Sequence, residues 1–261
     1  MAWGKALTAL GFLTLSALAG CAGLPQVGAS TEASASGAGG LTLTGATPEK
    51  PAFSPFSDQT GPSFGGREVI ANPSLADVML TGPLPERAMG RADAPVTIIK
   101  YASMTCPYCR KFDAETFPVL KREYIDTGKV RFILREFPIG HQSGAATIAL
   151  RCAPADKHFA LYSKLMAQQP AWVSQEVRLD PIFKVAQQVG ITRAEFDACQ
   201  QDKALIEGLR WVKDRGRKLG VIGTPNFFVN GKLVKTVIGI AELRAMVDPL
   251  LAGKVAQGAG R

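Results

Sequence analysis

The sequence predicts an α/β domain whose sheet-forming segments are split by a long helical block. Three observations carry this. The apolar, β-branched run Val96–Ala102, the helix-like stretch Arg110–Ile125 and the run Val130–Glu136 read as strand, helix, strand, which implies a parallel pair with a right-handed crossover. From Ser143 to Gly220 no strand pattern occurs and helical periodicity dominates. The β pattern then returns as Asn226–Val229 and Lys232–Lys235 on either side of Asn230-Gly231, the dipeptide that best forms a tight hairpin turn.

Length and composition fit one such domain. The chain has 261 residues, but its first third is not domain-like, which leaves about 190 residues to fold. Hydrophobic residues make up 46 %, ample for a core. Nothing after the N-terminus approaches the roughly 18 consecutive apolar residues of a membrane span, so the folded part is expected to be soluble. The formal net charge is +8, yet Lys and Arg are spread along the chain with few aromatics between them, which argues against a nucleic-acid partner. The densest group, Arg210, Lys213, Arg215, Arg217 and Lys218, reads at helical spacing as a solvated helix face.

The N-terminus has the layout of an export signal. A short cationic start at Met1–Lys5 precedes the apolar stretch Ala6–Ala17, which is too short for a span. It ends in Leu18-Ala19-Gly20-Cys21, which resembles the bacterial lipobox, where cleavage precedes a cysteine that is then diacylated. The alternative is an ordinary signal peptide with an incidental Cys21. The resemblance implies that residues 1–20 are removed, that Cys21 carries lipid, and that the protein faces the periplasm from a membrane of the bacterial envelope. Each buried acyl CH₂ adds roughly 0.8 kcal/mol to such an anchor. Residues 21–66 are dominated by Gly, Ala, Ser, Thr and Pro, too poor in large apolar side chains to offset ordering entropy, and read as a flexible tether.

In 67–95, polar and apolar positions mix with Gly82-Pro83, Pro85 and Pro95, predicting a short helix around Pro73–Leu80 and then turns. After the first strand, Phe112, Phe117, Leu120 and Tyr124 mark a helix that Pro118 should kink or split. Within the helical block the candidates are Ala145–Leu165, Gln175–Gln188 and Arg193–Leu219. Gly190 stops the second, and Thr192-x-x-Glu195 forms a capping box for the third. Ile240–Leu251 reads as a final amphipathic helix and 252–261 as a tail.

The chemistry centres on Cys106-Pro107-Tyr108-Cys109, at the junction of the first strand and its helix. Only a thiolate attacks a disulfide, and at an unperturbed pKa near 8.5 about 3 % of a thiol is ionised at pH 7. Cys106, at the start of the helix, faces unpaired N–H groups and the positive end of the macrodipole, which favour the anion. Cys109 lies one turn inside and is shielded. Cys106 therefore reads as the nucleophile and Cys109 as the resolving thiol. Pro107 suits the first helical position, where its missing N–H costs nothing. A structural disulfide and half of a zinc site are the competing readings; zinc needs a second ligand pair, and His141, His158, Cys152 and Cys199 supply no matching knuckle. Thr224-Pro225 directly precedes the returning strand, where a proline can end a loop or hold a functional cis bond.

Together, Thr97–Cys109, the strand end Arg135-Glu136-Phe137-Pro138, and Gly223–Gly231 resemble the DsbA-type thiol:disulfide oxidoreductases, over about residues 75–251. The resemblance implies a thioredoxin fold, a central mixed sheet flanked by helices, with 67–142 as its first part, an inserted helical domain at 143–220, and 221–251 as its second part. It also implies that Cys106 attacks, Cys109 resolves, Pro225 is a cis-proline opposite them, and Thr224 presents backbone groups to a substrate chain. No cofactor beyond the redox-active disulfide is implied. Expected partners are reduced or unfolded exported proteins and a DsbB-like membrane quinone reductase, with the protein a monomer.

Two departures bear on the redox couple. Tyr108 stands where the archetypal motif has His, giving C-P-Y-C as in glutaredoxins, so the expected potential is nearer roughly −200 mV than DsbA's roughly −120 mV. Lys100 lies where relatives carry a buried acidic residue; a cation there is expected to lower the Cys106 pKa or to pair with Glu136, unless it faces solvent. Cys152 and Cys199 are expected to form a second, non-catalytic disulfide, closing a loop of roughly 48 residues worth about 4 kcal/mol in the chain-entropy model. A reductase or isomerase of the same fold and a non-enzymatic lipoprotein with structural disulfides are the alternative functions.

Overall fold

The computed structural model describes residues 69–258. The expected signal peptide, Cys21 and the tether lie outside them. In chain order the elements are α1 (Leu75–Met79), β1 (Arg87–Met89), β2 (Val96–Ala102), α2 (Pro107–Glu115), α3 (Phe117–Leu120) continued by a π-helical turn (Lys121–Ile125), β3 (Val130–Glu136), α4 (His141–Cys152), α5 (His158–Ala167), α6 (Gln169–Trp172), α7 (Leu179–Gln187), α8 (Arg193–Gln200), α9 (Lys203–Lys218), β4 (Asn226–Val229), β5 (Lys232–Val234) and α10 (Ile240–Gly258).

The strands form one mixed sheet in the order β1-β3-β2-β4-β5. β2 and β3 run parallel, from Val96 opposite Val130 to Ala102 opposite Glu136, as the strand–helix–strand pattern predicts. β4 lies antiparallel to β2, with Tyr101 opposite Asn226, and β5 folds back on β4. Asn230 and Gly231 both have positive φ, 45° and 86°, the geometry that an Asn-Gly hairpin turn requires. β1 falls where the breakers predict only turns. Its three residues are too few to show alternation, and it exists by antiparallel pairing with β3.

Both faces of the sheet are covered, and alternation along the strands assigns each side chain to one of them. Ile98, Phe132, Leu134, Phe227 and Val229 enter the larger core with residues of α2, α4, α5, α7, α8 and α10. Ile99, Tyr101, Ile133 and Phe228 enter a smaller one with Val78, Phe137, Leu219 and Val221. The helical block thus shares its core with the sheet.

Several helices differ from their sequence-predicted spans, each for a local reason. The stretch Ala145–Leu165 divides into α4 and α5 because Pro154 forces Ala153 into extended backbone, ψ 137°. Arg193–Leu219 divides into α8 and α9, the second begun by Asp202, whose side chain accepts from the Leu205 N–H. Pro118 separates α2 from α3 as expected, and α10 continues through Pro249 into the expected tail. The block begins at His141, two residues before the sequence boundary, and the end of α9 lies on the sheet. A Cβ at Gly216 would come within 2.7 Å of the Tyr101 ring. That contact also corrects the reading of the α9 charges as a solvated face. Lys213 is buried with its ammonium 6.0 Å from the Phe137 ring centroid, and Arg215 donates to the Asp77 carbonyl at 2.7 Å.

Cys152 of α4 and Cys199 of α8 are joined by a disulfide. Arg151, the residue before Cys152, donates from Nε and Nη2, one edge of its guanidinium, to both oxygens of Glu136, fully buried at the end of β3, at 2.5 and 2.7 Å. Burial pushes the Glu136 carboxyl up, but the Arg151 charge and its hydrogen bonds outweigh this and hold it below its ordinary value. The expected Glu136–Lys100 pair does not form, because the parallel register sets Lys100 beside Leu134 and Glu136 beside Ala102. Glu136 is thus a fold-holding carboxylate that joins β3 to the helical block. Arg151→Met should lower the unfolding free energy in urea by about 3–5 kcal/mol, by stranding a buried charge, while leaving the thiolate titration of Cys106 unmoved.

Candidate active site

Three segments remote in sequence converge where β2 ends. The chain turns after Ala102, and Cys106 becomes the N-cap of α2, with Pro107 at its first position. The antiparallel register of β4 against β2 brings the residues before Asn226 to the same edge. There the Thr224–Pro225 peptide is cis, and the Thr224 carbonyl oxygen lies 3.1 Å from Cys106 Sγ.

The two sulfurs have opposite environments. Cys106 is half-buried and its Sγ accepts the Cys109 backbone N–H at 3.3 Å, the ordinary bond of a capping side chain. Cys109 is fully buried against the main core. The Cys106 pKa falls to about 6. The Cys109 thiol is the largest cause, by donating to the anion; burial opposes it, and the Thr224 side chain and the backbone N–H groups of Cys109 and Tyr108 add to the fall. Burial pushes the Cys109 thiol well above its ordinary value, as does its bond to Cys106, with Lys100 pulling the other way. At neutral pH the pair therefore favours a single thiolate, on the exposed side.

Lys100 is buried, which removes the solvent-facing reading, and its charge acts on Cys109. Its partners are Asp113 on α2 and Tyr162 on α5. Tyr108 projects outward, 60 % exposed, and Ile222, two residues before Thr224, is 79 % exposed, so apolar surface flanks the half-exposed sulfur.

The helical block supplies supports that no motif announces. Gln169 of α6 donates to the carbonyls of Met104 and Cys106, at 2.7 and 3.1 Å. Ser143 of α4 bonds the Ser103 hydroxyl at 2.7 Å and accepts the Met104 N–H at 3.1 Å. These bonds satisfy the turn between β2 and α2, whose polar groups would otherwise be buried unpaired. Single polar residues in apolar helices are the only sequence signal for them. His141, His158, Cys152 and Cys199 do not assemble as ligands; among the described residues, no group of three or more His, Cys, Asp or Glu is placed to hold a metal ion. His158 instead sits 4.0 Å from Glu136, and burial lowers its pKa to about 4.

Absorbance at 240 nm of the reduced protein should therefore rise in a step centred near pH 6, absent in Cys106→Ser. Because the charged form is the reactive one, the rate of exchange with a small disulfide should fall as pH drops through that step.

A half-exposed sulfur held as an anion, over a buried thiol and beside a cis peptide, can accept or donate a disulfide. Comparisons with known proteins agree. A family model described as Thioredoxin matches residues 84–249. A Rickettsia bellii protein named as a protein-disulfide oxidoreductase is 30 % identical over 188 residues, 69 % of this chain and 71 % of its own length. A Bacillus anthracis protein named as disulfide bond formation protein D is 31 % identical over 156 residues, 57 % of this chain and 71 % of its own length. The crystal structure of Wolbachia pipientis alpha-DsbA1 superposes with a TM-score of 0.64 at 25 % identity, covering 70 % of this chain and 98 % of the other. The chain belongs to the thioredoxin-like family as a DsbA-type thiol:disulfide oxidoreductase.

Proposed function

We propose that this oxidoreductase works in the bacterial cell envelope, lipid-anchored through Cys21 and facing the periplasm, and donates the Cys106–Cys109 disulfide to reduced exported proteins. A substrate thiolate attacks Cys106 Sγ, forming a mixed disulfide and releasing Cys109 as a thiolate. A second substrate thiolate then attacks the sulfur bonded to Cys106, completing the substrate disulfide and leaving the enzyme dithiol. Thr224 and Pro225 position the substrate chain beside Cys106, and Tyr108 and Ile222 offer apolar surface to an unfolded segment. Re-oxidation falls to a DsbB-like membrane quinone reductase.

The single observation that carries the reading is the asymmetry of the dithiol. The thiolate-forming Cys106 reaches solvent and Cys109 does not. A macromolecular disulfide can form only at Cys106. The export signal and the Cys152–Cys199 disulfide support an oxidising compartment, where such bridges persist. A reductase or isomerase remains the second reading, favoured by Tyr108 within the motif and by Thr224 before the proline.

Two measurements test it. Cys109→Ala should accumulate mixed disulfides with scrambled, disulfide-containing ribonuclease, because its Cys106 thiolate opens a substrate disulfide and no second thiol releases the adduct, whereas Cys106→Ala should accumulate none; adducts at Cys109 would sink the assignment. Equilibration with glutathione should give a potential between about −120 and −200 mV, with oxidation of reduced ribonuclease faster than rearrangement of scrambled ribonuclease. A value below about −250 mV would make the protein a reductase.

A further inference from the structure

Beneath the dithiol lies a closed triangle of buried polar groups, drawn from three elements. Lys100 Nζ of β2 lies 2.7 Å from Asp113 Oδ2 of α2 and donates to the Tyr162 hydroxyl of α5 at 2.9 Å. The Tyr162 hydroxyl in turn donates to the same Asp113 Oδ2 at 2.6 Å. Lys100 and Tyr162 are fully buried, and Asp113 Oδ1 is buried with no hydrogen-bond partner. The ammonium also lies 4.5 Å from the ring centroid of Phe112, one turn from Cys109. The dithiol feels this group: the Lys100 charge favours ionised Cys109, and ionised cysteines oppose ionisation of Tyr162.

A buried ion pair costs desolvation and contributes little net stability, so its placement under a redox pair asks for another account. Attack of a substrate thiolate on Cys106 Sγ makes one S–S bond, breaks the Cys106–Cys109 bond and leaves the electron pair on Cys109 Sγ. That anion forms where water does not reach. The disulfide it replaces carries no charge, so a nearby cation favours the broken bond over the intact one. Asp113 works against that cation. Its second oxygen is unsatisfied, and its negative charge offsets the ammonium unless something else engages the carboxylate. The Tyr162 hydroxyl does this by donating to Oδ2 while accepting from Lys100.

We propose that Tyr162 is a positioning residue for disulfide exchange: by donating to the Asp113 oxygen that Lys100 also bonds, its hydroxyl takes up part of the carboxylate's negative charge, so that more of the Lys100 cation's field reaches the thiolate of Cys109. This rests on Cys106 and Cys109 being the redox couple. The helical block thereby tunes how strongly the protein oxidises, through one hydroxyl that touches neither sulfur nor substrate.

The test is the equilibrium constant of the full chain with glutathione, measured for wild type, Tyr162→Phe, Lys100→Met and Asp113→Asn, each with its thermal midpoint. Tyr162→Phe and Lys100→Met should make the disulfide harder to reduce, by about threefold and about tenfold, the latter about 30 mV. Asp113→Asn should shift the constant the other way, since it removes the opposing charge and leaves the cation. A structural role would lower the thermal midpoint in all three without this split in sign. A Tyr162→Phe constant equal to wild type, or three shifts of one sign, overturns the proposal while leaving the couple intact. Wild type that fails to exchange with glutathione through Cys106 and Cys109 overturns both. Tyr162→Phe keeps the ring and loses one oxygen, so its shift decides the matter if Lys100→Met does not fold.

Discussion

Cys106 caps a helix with its sulfur while remaining half-exposed to solvent. Its acceptance of the Cys109 N–H closes the first turn of α2. The same bond sets the sulfur at the positive end of the helix, where an anion is favoured. Cys109 then falls one turn further in, under the helix and out of water, with no freedom to be otherwise. The split in acidity between two identical side chains follows from that single junction. The Thr224–Pro225 segment completes it by walling the third side of the sulfur.

A strand-to-helix turn of this kind buries backbone polar groups, and unpaired groups of that sort are costly. The helical block answers for them. Gln169 takes up the carbonyls of Met104 and Cys106 and Ser143 takes up the Met104 N–H, so α4 and α6 act as the floor of the site. The block is therefore no appendage. Its apolar faces continue the core of the sheet, and its polar residues finish the turn that presents the dithiol.

Buried charges show the same division of labour. Lys100 and Glu136 lie on neighbouring strands and on the same side of the sheet, and a two-strand reading pairs them. The parallel register separates them, and each finds its counter-charge on a helix, Asp113 for one and Arg151 for the other. One pair underlies the dithiol and the other fastens the helical block beside the Cys152–Cys199 bridge. Their functions differ because their neighbours differ.

The chain's local chemistry was enough to find the elements nearest the site. β-Branched runs marked β2 and β3, the Asn-Gly turn marked β4 and β5, and C-x-x-C behind a strand marked the dithiol, because each is decided by residues within a few positions of one another. Where a signal was local but easily overlooked, as with Pro154 dividing α4 from α5, the prediction erred by an element boundary. β1 left no trace, since its pairing with β3 is its whole reason for being a strand. The partners of Lys100, the burial of Cys109 and the supports at Ser143, Gln169 and Tyr162 depend on strand register and on helices returning from up to about 65 residues away. By itself the sequence determined which atoms do the chemistry and, from the helix start, which thiol attacks. The tertiary structure decided how far the two acidities part and which cation stands near the buried thiol, because desolvation and charge act through space and not along the chain.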